Sequence, residues 1–266
     1  MARDWNMNHS RVTPAWLEFG ALCESVRIMS TTRFGGVSRE PYESFNLGVH
    51  VGDDLAAVAQ NRARLRQALP NDPIWLTQVH GTRVLDADSI DVSETFEADA
   101  MVTAQPLRVL AIQTADCMPI VITAGQEILG VAHAGWRGLA LGVIPALIGA
   151  MQQKEAKLAR REPLLWRAWI GPCIGRDAFE VGQEVHDAFV SPNPECQSLF
   201  SPVLGAPHKW LCDLPGLALY QCQRLGIASA DWCGLCTVDD AKGRFFSYRK
   251  QGSTGRMATL AWLDKA

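Results

Sequence analysis

The chain has 266 residues, 48% of them hydrophobic and 20% charged, with a formal net charge of −3. That length holds one large domain or two small ones around a substantial core, and the charge leaves no basic footprint for nucleic acid. No run of about 18 apolar residues marks a membrane span, and the opening stretch MARDWNMNHSRVTPAW lacks the apolar segment of a secretory signal, so a cytoplasmic location is expected. The cysteines at 23, 117, 173, 196, 212, 222, 233 and 236 are therefore expected as free thiols.

In chain order, VRIMSTTR (26–33) predicts a strand that enters a glycine turn, RFGGVS. Asp53 or Asp54 caps a helix whose apolar positions Leu55, Val58, Ala59, Leu65 and Leu69 keep helical spacing up to Pro70. Short strands follow: IWLTQVH, a segment near Val84, DAMVTA, RVLAIQTA, PIVITA and EILGVAHA. Several are continuous apolar runs, the pattern of strands covered on both faces. A helix is expected over 139–153, a strand and turn in LWRAWIGPCIG, and helices in FEVGQEVHDAFV and LPGLALYQCQRLG. Residues 191–209, rich in proline and polar side chains, predict a surface loop, and RFFSYRK and RMATLAWL predict closing strands. Strands and helices interleave without a regular rhythm and without a linker. The expectation is one α/β (α+β) domain of mixed sheets flanked by helices.

Three potential metal ligands stand in apolar or glycine-bounded contexts: His80 in WLTQVHG, Cys117 in TADCMPIVI and His133 in GVAHAGWRG. Two imidazoles and one thiolate are a donor set that a catalytic zinc site uses, with a fourth position open to water or substrate. The same donors also describe a blue-copper centre. A multicopper oxidase, however, needs many histidines, commonly in His-x-His pairs, and this chain has six and no such pair. Without a metal, Cys117 is a candidate nucleophile with His80 or His133 as its base.

Other residues suit the cleft that such ligands imply. Arg33 in TTRFGG and Arg137 in GWRG are candidates for anion binding, since arginine makes bidentate contacts to phosphate. Asn46 in SFNLG is placed to read a base or ribose, or to cap its own turn. Asp116 is a candidate to orient a ligand histidine or to move a proton, although strand alternation turns it away from Cys117. Cys173 in the IGPCIG turn could line the cleft, and Arg249 and Arg256 add basic character near the C-terminus. The Cys233/Cys236 CxxC lacks the partner pair of a zinc ribbon and reads as packing.

The segments TTRFGGVS, SFNLGVHVGDD, TQVHG, ADAMVT, TADCMPI, VAHAGWRGL, IGPCIG, FEVG and FFSYRKQGSTGR together resemble the YfiH-type laccase-domain family. That family is described as polyphenol oxidase, as peptidoglycan editing factor and as purine nucleoside phosphorylase. The resemblance implies a single layered catalytic domain over 26–266, with 1–25 as its N-terminal extension, grouped with cysteine hydrolases. It implies zinc, or less readily copper, on His80, Cys117 and His133. It further implies phosphorolysis of adenosine, inosine and methylthioadenosine, with adenosine deamination beside it. The partners would be purine nucleosides and phosphate, with a possible link to enzymes of peptidoglycan precursor synthesis.

Overall fold

A computed structural model describes residues 15–19, 22–91, 94–158 and 162–265. Most of the proposed 1–25 extension, and residues 159–161, lie outside that description. The first elements are strands β1 (Trp16–Phe19) and β2 (Val26–Thr31) and helix α1 (Leu55–Arg66). Strands β3 (Pro73–Ile74), β4 (Leu76–Thr77), β5 (Val84–Asp86), β6 (Phe96–Glu97), β7 (Ala100–Thr103), β8 (Val109–Thr114), β9 (Met118–Ala124) and β10 (Ile128–Ala134) follow. Next come α2 (Trp136–Leu141), α3 (Val143–Glu155), β11 (Trp166–Ile170), β12 (Glu180–Gly182) and α4 (Gln183–Val190). The chain continues through β13 (Phe200–Pro202), β14 (Lys209–Cys212), α5 (Leu214–Arg224), β15 (Ser229–Trp232), α6 (Tyr248–Gln251) and β16 (Met257–Leu263).

Two large mixed sheets face each other. One runs β1-β2-β16-β8-β3 and the other β15-β11-β9-β10-β7-β5. Side-chain alternation assigns each strand to two layers at once. In β8, Leu110 and Ile112 join Val121, Val131, Trp169 and Ala261 between the sheets. Val109 and Ala111 of the same strand point outward, to Leu65 and Leu69 of the α1 region. In β9, Ile120 and Ile122 point the other way, to Ile144, Leu147 and Met151 of α3 and Leu217 of α5. The result is four layers, helix, sheet, sheet, helix, and it explains why β8, β9 and β10 are apolar at almost every position: each is buried along its whole length.

Several expectations change. The 139–153 helix is two helices: Gly142, at φ 92°, ends α2 and starts α3, so the chain turns sharply there. FEVG is strand β12 rather than helix, because it pairs with β14. Residues 191–209 are not a plain loop: a 3-10 segment (Pro194–Leu199) leads into β13, which also pairs with β14. RFFSYRK does not form a closing strand. Phe245 and Phe246 bury as a local cluster with Met257 and Ala115, and Ser247 caps the short α6 by accepting from the Lys250 amide. Strands β1 and β15 had no sequence signal. Among the described residues, no helix is long and apolar enough to cross a membrane.

Candidate metal centre

The site is built where β9 and β10 meet. Their antiparallel register pairs His133 with Pro119 and Ala134 with Met118. Continued by one rung, it sets Gly135 across from Cys117, and His133 and Cys117 become diagonal neighbours on one face. Gly135 has to be glycine: a Cβ there would lie 2.9 Å from Cys117 Sγ and 2.9 Å from His80 Cδ2. His80 arrives from the turn after β4, and its ring meets that of His133 edge to face, with centroids 4.7 Å apart.

The ligand atoms of His80, Cys117 and His133 all lie within 4.8 Å of one another. Cys117 Sγ is 3.7 Å from His80 Nε2. Zn–N bonds of about 2.0–2.1 Å and a Zn–S bond of about 2.3 Å give tetrahedral edges of roughly 3.5 Å, so the spacing fits two ligands on one ion. No other group of three such side chains among the described residues is this close.

Behind the trio lies Asp99, fully buried. Its carboxylate accepts from His133 Nδ1 at 2.8 Å and from the backbone amides of Val79 (3.2 Å), His80 (2.9 Å) and Gly81 (2.7 Å). His80 sits at φ 61°, a left-handed conformation that aims these successive N–H groups at one anion. Burial alone would raise the Asp99 carboxyl, but His133 and the amides of Gly81 and Val79 hold it below the usual carboxylate range. With Nδ1 donating to Asp99, His133 presents Nε2 to the ligand position. The Asp99 carbonyl also accepts from the His133 amide at 2.7 Å, so one residue fixes the ring and the backbone of that ligand.

Burial pushes the Cys117 thiol up, but His133 first and His80 next outweigh it and bring it down to about 6. The His133 imidazole moves the opposite way: burial disfavours its charge, yet Cys117 and Asp99 raise it. Both directions describe a thiolate poised between imidazoles, the form that binds a metal or attacks an electrophile.

The other candidates fall at varied distances from this centre. Asp116 does not orient a ligand histidine; Asp99 does. At φ 92° Asp116 turns its carboxylate away, accepting from Thr237 Oγ1 (2.6 Å) and the Arg249 amide (2.6 Å), which ties two later segments to the turn before Cys117. Asn46 is buried and spends its amide on its own loop and on Arg256. Its Nδ2 donates to the Gly48 carbonyl and Asp53 Oδ2, and its Oδ1 accepts from the amides of Gly48 and Arg256. Arg33 donates Nε to the Glu43 carbonyl (2.9 Å) and lies over the Phe246 ring. Arg137 is the second residue of α2, with its guanidinium over the Trp136 ring. Cys173 is buried in the core, where burial and then Cys233 and Cys236 push its thiol up. It bridges to Cys236 along the backbone, and the Cys236 sulfur accepts from the amides of Gly175 (3.3 Å) and Asp239 (3.4 Å).

Sequence reasoning missed Asp99, although it stands in ADAMVT, because a single aspartate before a strand gives no periodic signal. It also missed the packing of Arg62. Arg62 looks like a solvated helix position, yet it packs on Trp75 with 4.0 Å between guanidinium and ring centroid.

The chain is a four-layer α/β domain of mixed sheets carrying a carboxylate-backed His-Cys-His cluster that could hold a metal ion. The profile of the family described as multi-copper polyphenol oxidoreductase laccase matches residues 27–264, and the chain belongs to that family. It is 42% identical over 241 residues to a Pseudomonas aeruginosa protein named purine nucleoside phosphorylase, covering 90% of this chain and 94% of that one. It is 38% identical over 256 residues to the Escherichia coli purine nucleoside phosphorylase YfiH, covering 95% and 98%. The crystal structure of Neisseria meningitidis NMB0706 superposes with a TM-score of 0.84 at 39% identity, covering 95% of this chain and all of that one.

Proposed function

We propose that this protein is a zinc-dependent purine nucleoside phosphorylase acting on adenosine, inosine and methylthioadenosine, with adenosine deamination as a second activity. The observation that carries the reading is the His80, Cys117, His133 cluster with Asp99 behind it. The naming of relatives at 42% and 38% identity as purine nucleoside phosphorylases supports the reaction class. Thiolate plus two imidazoles suits zinc, which when bound supplies a Lewis acid and an activated water at neutral pH.

The chain's own residues do the rest. Asp99 holds His133 in one tautomer and the Val79–Gly81 turn in one shape, so the donors are set before any ligand arrives. In phosphorolysis a phosphate oxygen bonds to C1′ of the ribose while the C1′–N9 bond breaks. The base departs with that electron pair and takes up a proton. In deamination, water oxygen bonds to C6 of adenine and ammonia leaves. Arg33 and Arg137 stand as candidate anion contacts, Asn46 shapes the loop beside Arg33, and Cys173 packs in the core. Purine nucleosides and phosphate are the proposed partners, the cytoplasm the proposed location, and a link to peptidoglycan precursor enzymes the proposed context. That link is checked by pulldown with cell-wall ligases, comparing wild type with Cys117→Ala.

The test is adenosine incubated with and without phosphate, with products separated by chromatography. Adenine that forms only with phosphate supports phosphorolysis, and inosine that forms without it supports deamination. Two other readings have an observation each. The lowered Cys117 thiol favours a cysteine hydrolase, for which chelator-treated protein should stay active and iodoacetamide should stop it. The family description favours a copper phenol oxidase, for which copper-loaded protein should consume oxygen with a phenol. The six histidines of the chain weigh against that second alternative.

A further inference from the structure

Cys173 and Cys236 face each other across a parallel backbone bridge. The Cys173 amide donates to the Leu235 carbonyl at 3.2 Å, and the Cys173 carbonyl accepts from the Thr237 amide at 2.9 Å. Neighbouring strands lie about 4.7–4.9 Å apart, and residues opposite each other on one rung send their side chains to the same side of the sheet. That spacing falls inside the Cα–Cα range of about 4.4–6.8 Å that a disulfide spans. The Cys236 side chain also leans over the Cys173 segment. A Cβ added at Gly175 would meet Cys236 Cβ at 3.3 Å and Sγ at 3.4 Å, and the Gly175 amide donates to that sulfur at 3.3 Å. Both cysteines are free thiols.

The CxxC spacing offers Cys236 a different partner, Cys233, and the layers of the fold decide against it. Cys173 is buried in the layer between the second sheet and its helices. Cys233 packs against the layer between the two sheets, on the far side of that sheet. Cys236 shares a rung with Cys173, so it turns to the Cys173 side, with the left-handed Gly234 (φ 75°) lying between it and Cys233. The two thiols also differ in access. Cys173 is fully buried and Cys236 only partly, so a dissolved oxidant meets Cys236 first.

We propose that Cys173 and Cys236 are a redox-active thiol pair that closes to a disulfide under hydrogen peroxide. The Cys236 sulfur attacks one peroxide oxygen and the O–O bond breaks, giving a sulfenic acid on Cys236 and water. The Cys173 sulfur then attacks the Cys236 sulfur and the S–O bond breaks. The departing hydroxide takes the Cys173 thiol proton and leaves as a second water, so the two thiols are oxidised by the two electrons that reduce the peroxide. Asp116 hangs on the same rung: its carbonyl accepts from the Ile174 amide at 2.9 Å and its carboxylate from Thr237 Oγ1 at 2.6 Å. The disulfide therefore fastens together the two segments that hold the neighbour of Cys117. The pair is independent of the phosphorylase reading.

The experiment treats the folded full chain with hydrogen peroxide, blocks the remaining thiols with iodoacetamide and maps cross-linked peptides by mass spectrometry, with and without dithiothreitol. Wild type is compared with Cys233→Ser, Cys236→Ser and Cys173→Ala, and the far-ultraviolet signal of each is recorded. The expected main cross-link joins Cys173 to Cys236 in wild type and in Cys233→Ser, is lost in Cys236→Ser and disappears with dithiothreitol. In Cys173→Ala the sulfenic acid on Cys236 has no thiol to resolve it and should be trapped by dimedone. If Cys173→Ala fails to fold, the maps of wild type and Cys233→Ser decide the matter alone. A main cross-link between Cys233 and Cys236, or between Cys117 and either member of the pair, overturns the proposal. So does a folded, peroxide-treated chain in which both Cys173 and Cys236 stay reduced, or a link between them that forms only in urea.

Discussion

Asp99 bears more of this site than its single letter suggests, because one buried carboxylate satisfies three backbone amides and the His133 ring together. Asp99→Asn keeps the shape but loses the charge, and must place an amide N–H or a neutral oxygen where an anion stood. Outer carboxylates of this kind typically change metal affinity by about 10–100-fold. The expected outcome is a loss in that range, read by competition with a chromophoric chelator, while the folded far-ultraviolet signal persists. At this scale the grouping of His80, Cys117 and His133 was legible in the sequence, since Cys117 directly precedes the apolar strand β9, His133 lies near the end of the apolar strand β10, and His80 stands in the glycine turn after β4. The orienting carboxylate was not legible. Asp116 is adjacent to Cys117 in sequence, but its left-handed backbone sends the side chain to Thr237 and Arg249.

Among the elements, the joint between α3 and the β5 region gives the sharpest test. Lys154, near the end of α3, pairs with Asp86 at 2.7 Å and Asp88 at 2.7 Å, and Asp88 also accepts from the Thr103 hydroxyl and, at 2.9 Å, the Ala104 amide. Lys154→Met retains the apolar stem and leaves the shielded Asp88 without its cation, a loss of about 1–3 kcal/mol. Burial raises the Asp88 carboxyl, but Lys154, Thr103 and Ala104 together lower it below its usual value. A depressed carboxyl stabilises the fold above the unfolded value of about 3.9 and stops doing so as pH falls through the folded value. Urea unfolding should therefore show the gap between wild type and Lys154→Met shrinking from pH 7 to pH 3. Strands with long apolar runs were foreseen, whereas β12, β13 and β14 were not. They have three or four residues each and are only partly buried, and a sheet that small exists only through the pairing of its segments.

At the scale of the whole molecule, the metal centre lies at the end of β9 and β10 because both strands are clamped between the second sheet and α3. The inter-sheet layer is the stability reserve that permits strained backbone at His80 and Asp116. Ile112, 1% exposed in that layer, should cost about 2–5 kcal/mol when replaced by alanine, from lost burial plus the cavity. The denaturation midpoint should fall with little change in slope. An α/β domain of mixed sheets was legible from the mixture of continuous and periodic apolar segments. The pairing of two sheets face to face was not, since period-2 alternation says that a strand has two faces and not what covers each.

The most direct test is metal analysis and base release on one preparation of wild type and of Cys117→Ala. Wild type should carry about one zinc per chain and release adenine from adenosine with phosphate, and the variant should lose metal and turnover together while remaining folded. Turnover that survives in metal-free Cys117→Ala would contradict the account.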